Sequence, residues 1–239
     1  MKLVLTVGGQ GVRLQPLTYD IPKPMLKIAD KPMLEYAIEW AKRNGITDII
    51  ICSGYLAEHI ENYFGDGSKF GVNIKYSVEK EKLGTAGCLR LAKDLIGDDD
   101  FILLHGDILC KVDGIKLMDF HKNNNAMCTL VVHKSSHPHD SDLVESNETG
   151  KVIKFWRKPH SKRPPTDVGN AGLHVFSSKV INYIPEGKFS LEKELVPKIL
   201  QANEPLYAYN TDEFLKDLGT FDRIQELDKK IKEDGWWTW

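Results

Sequence analysis

Apolar and polar residues in the first half of the chain form a repeating pattern. Short apolar runs such as KLVLTV, DIIICS, VNIKYSV and FILLHGD are each followed by a longer stretch with apolar residues at helical spacing, such as MLEYAIEWAKRNG and GIKLMDFHKNNN. The short runs predict strands, and the longer stretches predict amphipathic helices. Because strands that alternate with helices pair in parallel, we expect a parallel sheet with crossover helices.

The pattern changes in the second half of the chain. The segments AMCTLVVHK, DLVES, KVIKFWRK and VGNAGLHVFSS predict strands, and SLEKELVPKILQAN and FDRIQELDKKIKEDG predict helices on either side of a further strand, LYAYNT. No segment has the composition of a linker between independent domains. We therefore expect one α/β domain over residues 1–239, with a Rossmann-like, mixed, mostly parallel sheet flanked by helices and a β-rich second half.

Charge and composition narrow the classes of partner. The chain has 32 Lys and Arg against 34 Asp and Glu, a formal net charge of -2, so we expect no nucleic-acid partner. The N-terminal apolar run is too short for a signal peptide, and no stretch approaches the ~20 apolar residues of a membrane span. We therefore expect no membrane partner. The four cysteines lie in or beside apolar stretches without CxxC spacing, which favours reduced thiols in a cytoplasmic protein.

The first predicted strand runs directly into a glycine-rich segment, GGQGVRL. Gly8, Gly9 and Gly11 would present backbone N–H groups at the carboxyl edge of the sheet, where open α/β folds bind phosphates. Arg13 adds a planar donor fork, and Lys23 stands between two prolines that stiffen its loop. A dinucleotide-binding GxGxxG loop is disfavoured because Leu14 replaces the third glycine, and no GxxxxGK[ST] motif occurs. The segment predicts a phosphate site of another kind.

A carboxylate is predicted at the same edge of the sheet. The run FILLHGDIL is a buried strand that ends near Asp107. A triphosphate that binds with a metal ion needs an oxygen ligand of this type, and carboxylates are ligands that Mg2+ prefers. Asp107 is therefore a candidate ligand for Mg2+.

The opening segment as a whole, GGQGVRLQPLTYDIPKPML, closely resembles the GGxGxRLxPLTxxxPKPML signature of the sugar-1-phosphate nucleotidylyltransferases, also called sugar-nucleotide pyrophosphorylases. The resemblance implies the nucleotide-diphospho-sugar transferase fold. It also implies that the glycine loop and Arg13 hold a nucleoside triphosphate and that Lys23 contacts phosphate during transfer. The chain departs from the signature at Val7, where a small residue is usual, and at Val12, where Thr is common.

Two further segments resemble nucleotide-side motifs of that family. KLGTAGCL is similar to its LGTAG segment, which implies that Gly84 and Thr85 approach the nucleotide base, and Gly87 would also permit close contact. Glu79 lies just before this segment and could accept hydrogen bonds from a guanine edge. DLGT resembles the DxGT pattern of the family and makes Asp217 the second carboxylate, expected to share one Mg2+ with Asp107.

The segments that correspond to the family's sugar-phosphate motifs match those motifs less closely. FWRKP resembles the F-x-EKP segment, which assigns sugar-phosphate binding to Lys158, but Arg157 stands where the family has a hydroxyl-binding Glu. Arg has no acceptor atom, so another group must read the sugar ring. GNAGLHVF resembles the NAG segment and assigns sugar contacts to Asn170 and Gly172. The implied arrangement is a nucleotide-binding half up to about residue 110 and a sugar-phosphate-binding half from about 111 to 239.

The resemblance implies transfer of a nucleotidyl group from a nucleoside triphosphate to a sugar 1-phosphate, with release of pyrophosphate. The HPHDSD, FW-K-P-H and NAGLHVF segments most resemble the guanylyl-transferring branch that acts on D-glycero-D-manno-heptose 1-phosphate or mannose 1-phosphate, with GTP as the favoured nucleotide. Two alternatives stay open: a catalytically inactive subunit that senses nucleotide sugars, and a dTTP- or UTP-dependent glucose 1-phosphate enzyme. A homo-oligomer is also compatible with the sequence.

Two clusters have no place in this scheme. The first, HPHDSD, holds His137, His139, Asp140 and Asp142; its loop-like setting favours a sugar-side loop over a transition-metal site. The second, GWWTW, places tryptophans at 236, 237 and 239. Because exposed indoles are costly in water, we expect these tryptophans to pack on the body of the protein or on a second subunit.

Overall fold

The computed structural model describes residues 1–235 and 237. Its strands are β1 Lys2–Thr6, β2 Lys27–Ile28, β3 Lys31–Pro32, β4 Asp48–Ser53, β5 Asn73–Val78, β6 Phe101–His105, β7 Ile108–Cys110, β8 Cys128–Lys134, β9 Leu143–Ser146, β10 Val152–Trp156, β11 Val168–Phe176, β12 Leu206–Asn210 and β13 Leu215–Asp217. Its helices are α1 Met33–Arg43, α2 Ala57–Phe64, α3 Gly84–Leu91, α4 Lys93–Ile96, α5 Gly114–Asn123, α6 Val196–Gln201 and α7 Phe221–Asp234.

The centre of the main sheet is parallel, as the alternating pattern predicts. β1 pairs in parallel with β4 on one side and with β6 on the other, and β5 extends the sheet beyond β4. The apolar run of β1 is buried on both faces: Leu3 and Leu5 pack towards α1, and Val4 packs towards α3. Near-continuous apolar strands of this kind need helices on both faces, which the crossovers supply.

The second half continues the same sheet in mixed orientation. β11 pairs antiparallel with β6 and with β8, β12 pairs in parallel with β8, and β9 and β10 complete the nine strands. The expected β-rich extension and the mixed, mostly parallel sheet are therefore confirmed. One turn of π-helix, Leu191–Leu195, precedes α6; such turns are rare and often occur at functional sites.

All four cysteines are buried and free, which agrees with the expected reduced thiols. Within the described part of the chain, no helix is both long and apolar enough to cross a membrane.

A small antiparallel pair, β7 with β13, lies outside the main sheet and joins the middle of the chain to its last helix. It is backed by a separate apolar cluster that includes Leu14, Tyr36, Leu218 and Trp237. Trp237 meets the ring of Tyr36 edge to face at 4.9 Å between centroids, and its Nε1–H donates to Glu39 Oε2 at 3.1 Å. The predicted packing of this tryptophan on the body is confirmed, whereas Trp236 and Trp239 lie outside the described residues.

Candidate functional site

A cavity of about 650 Å³ opens at the carboxyl ends of the parallel strands. Thr6, Cys52 and His105, near the ends of β1, β4 and β6, form part of its wall, and Glu79 follows the end of β5. This is the edge at which the sequence predicts a phosphate site. Its volume is in the range of pockets that bind small organic ligands.

The glycine loop lines this cavity with bare backbone. A Cβ built on Gly9 would meet no atom within 4 Å, so the space in front of this residue is open. Gly11 has φ +60, and a Cβ there would lie 2.9 Å from Thr18 Cγ2. Thr18 is fully buried and donates its hydroxyl to Gly11 O at 3.0 Å. Thr18 therefore packs against the loop and supports it. Sequence reasoning assigned no role to this residue.

Both predicted cations line the cavity. Lys23 begins a short 3-10 turn after Pro22, and its ammonium forms an ion pair with Asp107. Arg13 is exposed, and its guanidinium lies against Gly219: a Cβ there would be 2.9 Å from Arg13 Nη2. Only 11% of the Lys23 side chain is exposed, so the lysine is held in position rather than free in solvent.

The two predicted carboxylates are brought together, but by β7 and β13 rather than by the edge of the main sheet. Asp217 pairs with Ile108 across this ladder, and Leu218 N donates to Asp107 O at 2.8 Å. Each carboxylate already has a cationic partner, Lys23 for Asp107 and Arg223 for Asp217. Burial would raise the pKa of Asp107, but the charge and hydrogen bond of Lys23, together with the charge of His105, outweigh burial and lower the pKa.

Two carboxylates on adjacent strands suit an ion that takes its remaining ligands from water and phosphate, as Mg2+ does. Within residues 1–235 and 237, no group of three His, Cys, Asp or Glu side chains is arranged to hold a metal ion. The donor set therefore fits a site that is completed by a substrate's phosphate oxygens. The expected sharing of one ion by Asp107 and Asp217 stays a prediction.

Glu79 occupies the end of the cavity beyond the glycine loop. Its carboxylate lies against Gly8 and Gly54, where an added Cβ would come within 2.7 Å of Glu79 Oε1 or Cγ. Its Oε2 accepts a hydrogen bond from Leu83 N at 3.1 Å. Burial raises the pKa of Glu79, opposed by the Leu83 N–H and by the charge of Lys82. This carboxylate is placed to accept hydrogen bonds from a bound molecule.

The LGTAG segment begins α3, with Gly84 at φ +77. A Cβ on Gly84 would lie 2.7 Å from Phe189 O, and one on Gly87 would lie 2.4 Å from Gly187 O. The close contact that these glycines were expected to permit is thus made with the chain itself at the Cβ positions, although Gly84 also lines the cavity. The Thr85 hydroxyl is engaged as well: it donates to Glu192 Oε2 at 3.1 Å and accepts from Leu191 N at 2.8 Å.

A partly buried pair that sequence reasoning missed, His105 and Glu192, joins the end of β6 to the π-helical turn at the cavity wall. His105 Nε2 lies 3.2 Å from Glu192 Oε1, and His105 Nδ1 lies 2.8 Å from Thr6 Oγ1. Burial would lower the pKa of His105, but the hydrogen bond and charge of Glu192 raise it. Burial would raise the pKa of Glu192, but His105 lowers it to about 2. The contact between the two side chains therefore favours the protonated imidazole and the ionised carboxylate.

The neighbouring His174 is fully buried beside His105, with ring centroids 6.0 Å apart. Its pKa is lowered to about 3, first by burial and then by the charge of His105. His174 therefore stays neutral next to the charged pair.

The predicted sugar residues lie outside this cavity wall. Lys158 donates its ammonium to Asp140 O at 2.8 Å, within the loop that contains the HPHDSD cluster. Asn170 Oδ1 is buried and has no hydrogen-bond partner among the described residues. Gly172 has φ +72, and a Cβ there would lie 2.8 Å from the ring of His105. An exposed cation that does line the cavity, Lys188, had been assigned no role from the sequence.

Comparison with known proteins places the chain in a family. The family model described as nucleotidyl transferase matches residues 2–234. Among curated relatives, the chain is 36% identical to a mannose-1-phosphate guanylyltransferase of Mycobacterium tuberculosis over 91% of this chain and 60% of the relative. It is 34% identical to a UTP-glucose-1-phosphate uridylyltransferase of Synechocystis sp. over 92% of this chain and 60% of the relative. The chain thus spans about three fifths of the length of these relatives.

The solved structures agree on the fold. The crystal structure of HddC from Yersinia pseudotuberculosis complexed with GMP-PN superposes with a TM-score of 0.82 at 26% identity, covering 96% of this chain and 99% of that one. This similarity extends over both the parallel and the antiparallel parts of the sheet. The chain belongs to the nucleotidyl transferase family.

Proposed function

We propose that the protein transfers a nucleotidyl group from a nucleoside triphosphate to a sugar 1-phosphate and releases pyrophosphate. The observation that carries the proposal is the meeting, at one cavity, of an open glycine loop and the Lys23–Asp107 pair, with Asp217 on the strand β13 that pairs next to Asp107. Family membership and the names of the relatives support the same reaction class.

The chemistry requires no protein nucleophile. An oxygen of the sugar 1-phosphate forms a bond to the α-phosphorus, and the bond between that phosphorus and the bridging oxygen of pyrophosphate breaks. Both reactants are anions, so the residues act mainly by neutralising charge and aligning the two phosphates. In this proposal Arg13 and Lys23 hold phosphate oxygens, and the backbone N–H groups at Gly8, Gly9 and Gly11 bind the triphosphate.

Asp107 and Asp217 are the residues that would hold Mg2+. When bound, the ion would stabilise the negative charge that develops on the phosphate oxygens. The protein's own contribution is to bring the backbone of Asp217 beside that of Asp107 through the β7–β13 ladder and to lower the pKa of Asp107 through Lys23. A substrate that brings its own metal ion would compete with Lys23 and Arg223 for the two carboxylates.

The same reasoning assigns a different substrate to each half of the chain. Residues up to about 110 would form the nucleotide-binding half, and residues from about 111 to 239 would form the sugar-phosphate-binding half. Lys188 is a second candidate beside Lys158 for the sugar phosphate, because it lines the cavity and Lys158 does not. The unpartnered Asn170 Oδ1 and its neighbour Gly172 remain candidates for sugar contact.

GTP is the nucleotide we favour, with mannose 1-phosphate or D-glycero-D-manno-heptose 1-phosphate as acceptor. Support comes from Glu79, a carboxylate that suits the donor edge of guanine, and from the guanylyltransferase relative. The second candidate is transfer from UTP or dTTP to glucose 1-phosphate, which the uridylyltransferase relative favours.

The test is pyrophosphate release in the presence of Mg2+, with five nucleoside triphosphates crossed against mannose, glucose and heptose 1-phosphates. Release with GTP and a manno-configured sugar is expected. Release with another pair would keep the reaction and change the substrates. No release with any pair, together with retained binding of nucleotide sugars, would contradict catalysis and favour the regulatory subunit.

Asp107→Asn is the variant that tests the role of the Asp107 carboxylate in the reaction. It should bind sugar 1-phosphate but lose turnover by about a hundredfold or more, because a charge that acts in the transition state is removed. Asp119→Asn is the control, since Asp119 is exposed on α5 and does not line the cavity. Normal turnover of Asp107→Asn at saturating Mg2+ would remove Asp107 from the mechanism.

A further inference from the structure

A lysine at the opening of the cavity has no role in the reaction described above. Lys82 is exposed, lines the cavity and stands three residues after Glu79. Its ammonium donates to Gln10 Oε1 at 2.7 Å, and Gln10 belongs to the glycine loop. The contact joins two walls of the cavity, the segment between β5 and α3 and the loop after β1.

We propose that Lys82, held in place by Gln10, selects nucleotide bases that carry a carbonyl oxygen at the position of guanine O6 and rejects bases with an amino group there. This inference rests on the proposed function and specifies the base that the site accepts. Glu79 and Lys82 together would read the edge of the base, Glu79 as acceptor and Lys82 as donor.

The hydrogen-bonding capacity of the two side chains fits this role. An ammonium has three donors and no acceptor, and Gln10 uses one of those of Lys82. Glu79 uses Oε2 for Leu83 N, while its Oε1 accepts no hydrogen bond within the part of the chain that the structure describes. The pair therefore offers an acceptor and donors side by side, on a segment whose shape the Glu79–Leu83 hydrogen bond fixes.

Guanine is the complement of this arrangement. Its O6 is an acceptor, and the adjacent N1–H and 2-amino group are donors, so Lys82 can serve O6 and Glu79 can serve the donors. Adenine has the opposite pattern, with an amino group in place of O6 and no hydrogen on N1. Its amino group would face the Lys82 ammonium with a donor, and its N1 would face the Glu79 carboxylate with a lone pair. Lysine is a common partner of guanine O6 in nucleic-acid recognition. A site built for such a pattern rejects the wrong base because its own polar groups are left unpaired.

The surroundings argue against a phosphate role for Lys82. The cations grouped with Asp107 and Gly219 are Lys23 and Arg13. The ionisable group that Lys82 influences is instead Glu79, whose pKa its charge lowers. The contacts of Lys82 are thus with Gln10 and Glu79, whereas those of Asp107 and Gly219 are with Lys23 and Arg13.

The experiment compares Lys82→Met with wild type, using pyrophosphate release with GTP, ATP and inosine 5′-triphosphate, which keeps O6 but lacks the 2-amino group. We expect the preference for GTP over ATP in kcat/KM to fall about tenfold, because one hydrogen bond to a charged donor is lost. The ratio of GTP to inosine 5′-triphosphate should not change. Lys80→Met is the matched control, because Lys80 is exposed two residues away and does not line the cavity.

Three outcomes would overturn the proposal or separate it from the proposed function. An equal loss with all three nucleotides would mean that Lys82 acts on phosphates, and an unchanged GTP to ATP ratio would mean that it does not read the base. If wild type releases no pyrophosphate with any nucleotide, the proposed function fails. Calorimetric titration of GTP and ATP into wild type and Lys82→Met then still tests base selection, which must weaken in the variant for the proposal to stand.

Discussion

The partly buried His105–Glu192 pair allows a quantitative prediction about stability. Glu192→Gln keeps the size of the side chain and one acceptor oxygen but removes the negative charge. The ordinary pKa of the carboxyl is 4.5, and His105 together with backbone hydrogen bonding lowers it to about 2 against the opposing effect of burial. Each pKa unit corresponds to about 1.4 kcal/mol, so the charged form contributes roughly 3 kcal/mol to the free energy of unfolding.

The contribution of the pair to the free energy of unfolding decreases both at low pH and at high pH. The pKa of Glu192 is lowered in the folded state, so its contribution is complete above 4.5 and is lost as the pH falls towards about 2. The pKa of His105 is raised, so its contribution is complete below 6.5 and is lost as the pH rises through its folded value. The difference between wild type and variant should therefore be largest between these limits and decrease on both sides.

Urea unfolding followed by tryptophan fluorescence, repeated across this pH range, measures the difference directly. We expect Glu192→Gln to lose roughly 3 kcal/mol near the middle of the range. Glu186→Gln is the control, because it removes the same charge from an exposed position in the preceding loop. A loss below about 1 kcal/mol, typical of a solvent-exposed ion pair, or a loss that does not vary with pH, would refute the assignment of a charged, partly buried pair.

Two further predictions concern the loop and the C-terminal tryptophan. Gly9→Ala should leave the midpoint of urea unfolding unchanged, because its Cβ would meet no atom within 4 Å, yet raise the KM for the nucleotide if a triphosphate occupies that space; an unchanged KM would place the triphosphate elsewhere. Trp237→Ala should lower the free energy of unfolding by about 3 kcal/mol, as expected for a buried aromatic, because it removes the contact with Tyr36 and the hydrogen bond to Glu39. Trp237→Phe should recover most of that loss in the same unfolding assay, and equal losses in the two variants would contradict a packing role.

The sequence was sufficient for the parts of the fold that local patterns determine. The apolar runs of β1, β4 and β6 identify buried strands, and their alternation with helices predicts the parallel order. The same reasoning places Gly9 and Lys23 at the carboxyl edge, because the residues that follow parallel strands meet there. These features depend on neighbours in sequence, which a single chain displays.

Features that depend on which distant segments meet were not predictable in the same way. His105 ends an apolar strand and Glu192 begins a helical turn, and nothing in their spacing links one to the other. Gly87 shows in the sequence that a close approach is needed, but not that the partner is Gly187 O of the same chain. Asp107 and Asp217 were expected together at the main sheet, whereas a separate ladder, β7 with β13, joins them.

That ladder also has a consequence for the order in which the protein matures. During synthesis the glycine loop, Lys23 and Asp107 emerge before β13, which follows them in the chain. Chains fold progressively from the N-terminus as they are synthesised, and contacts between distant segments form slowly. A partly made chain can therefore present the glycine loop and Asp107 while Asp217 is still missing, so under the proposed roles the ability to bind an anion would precede the ability to assemble the metal site.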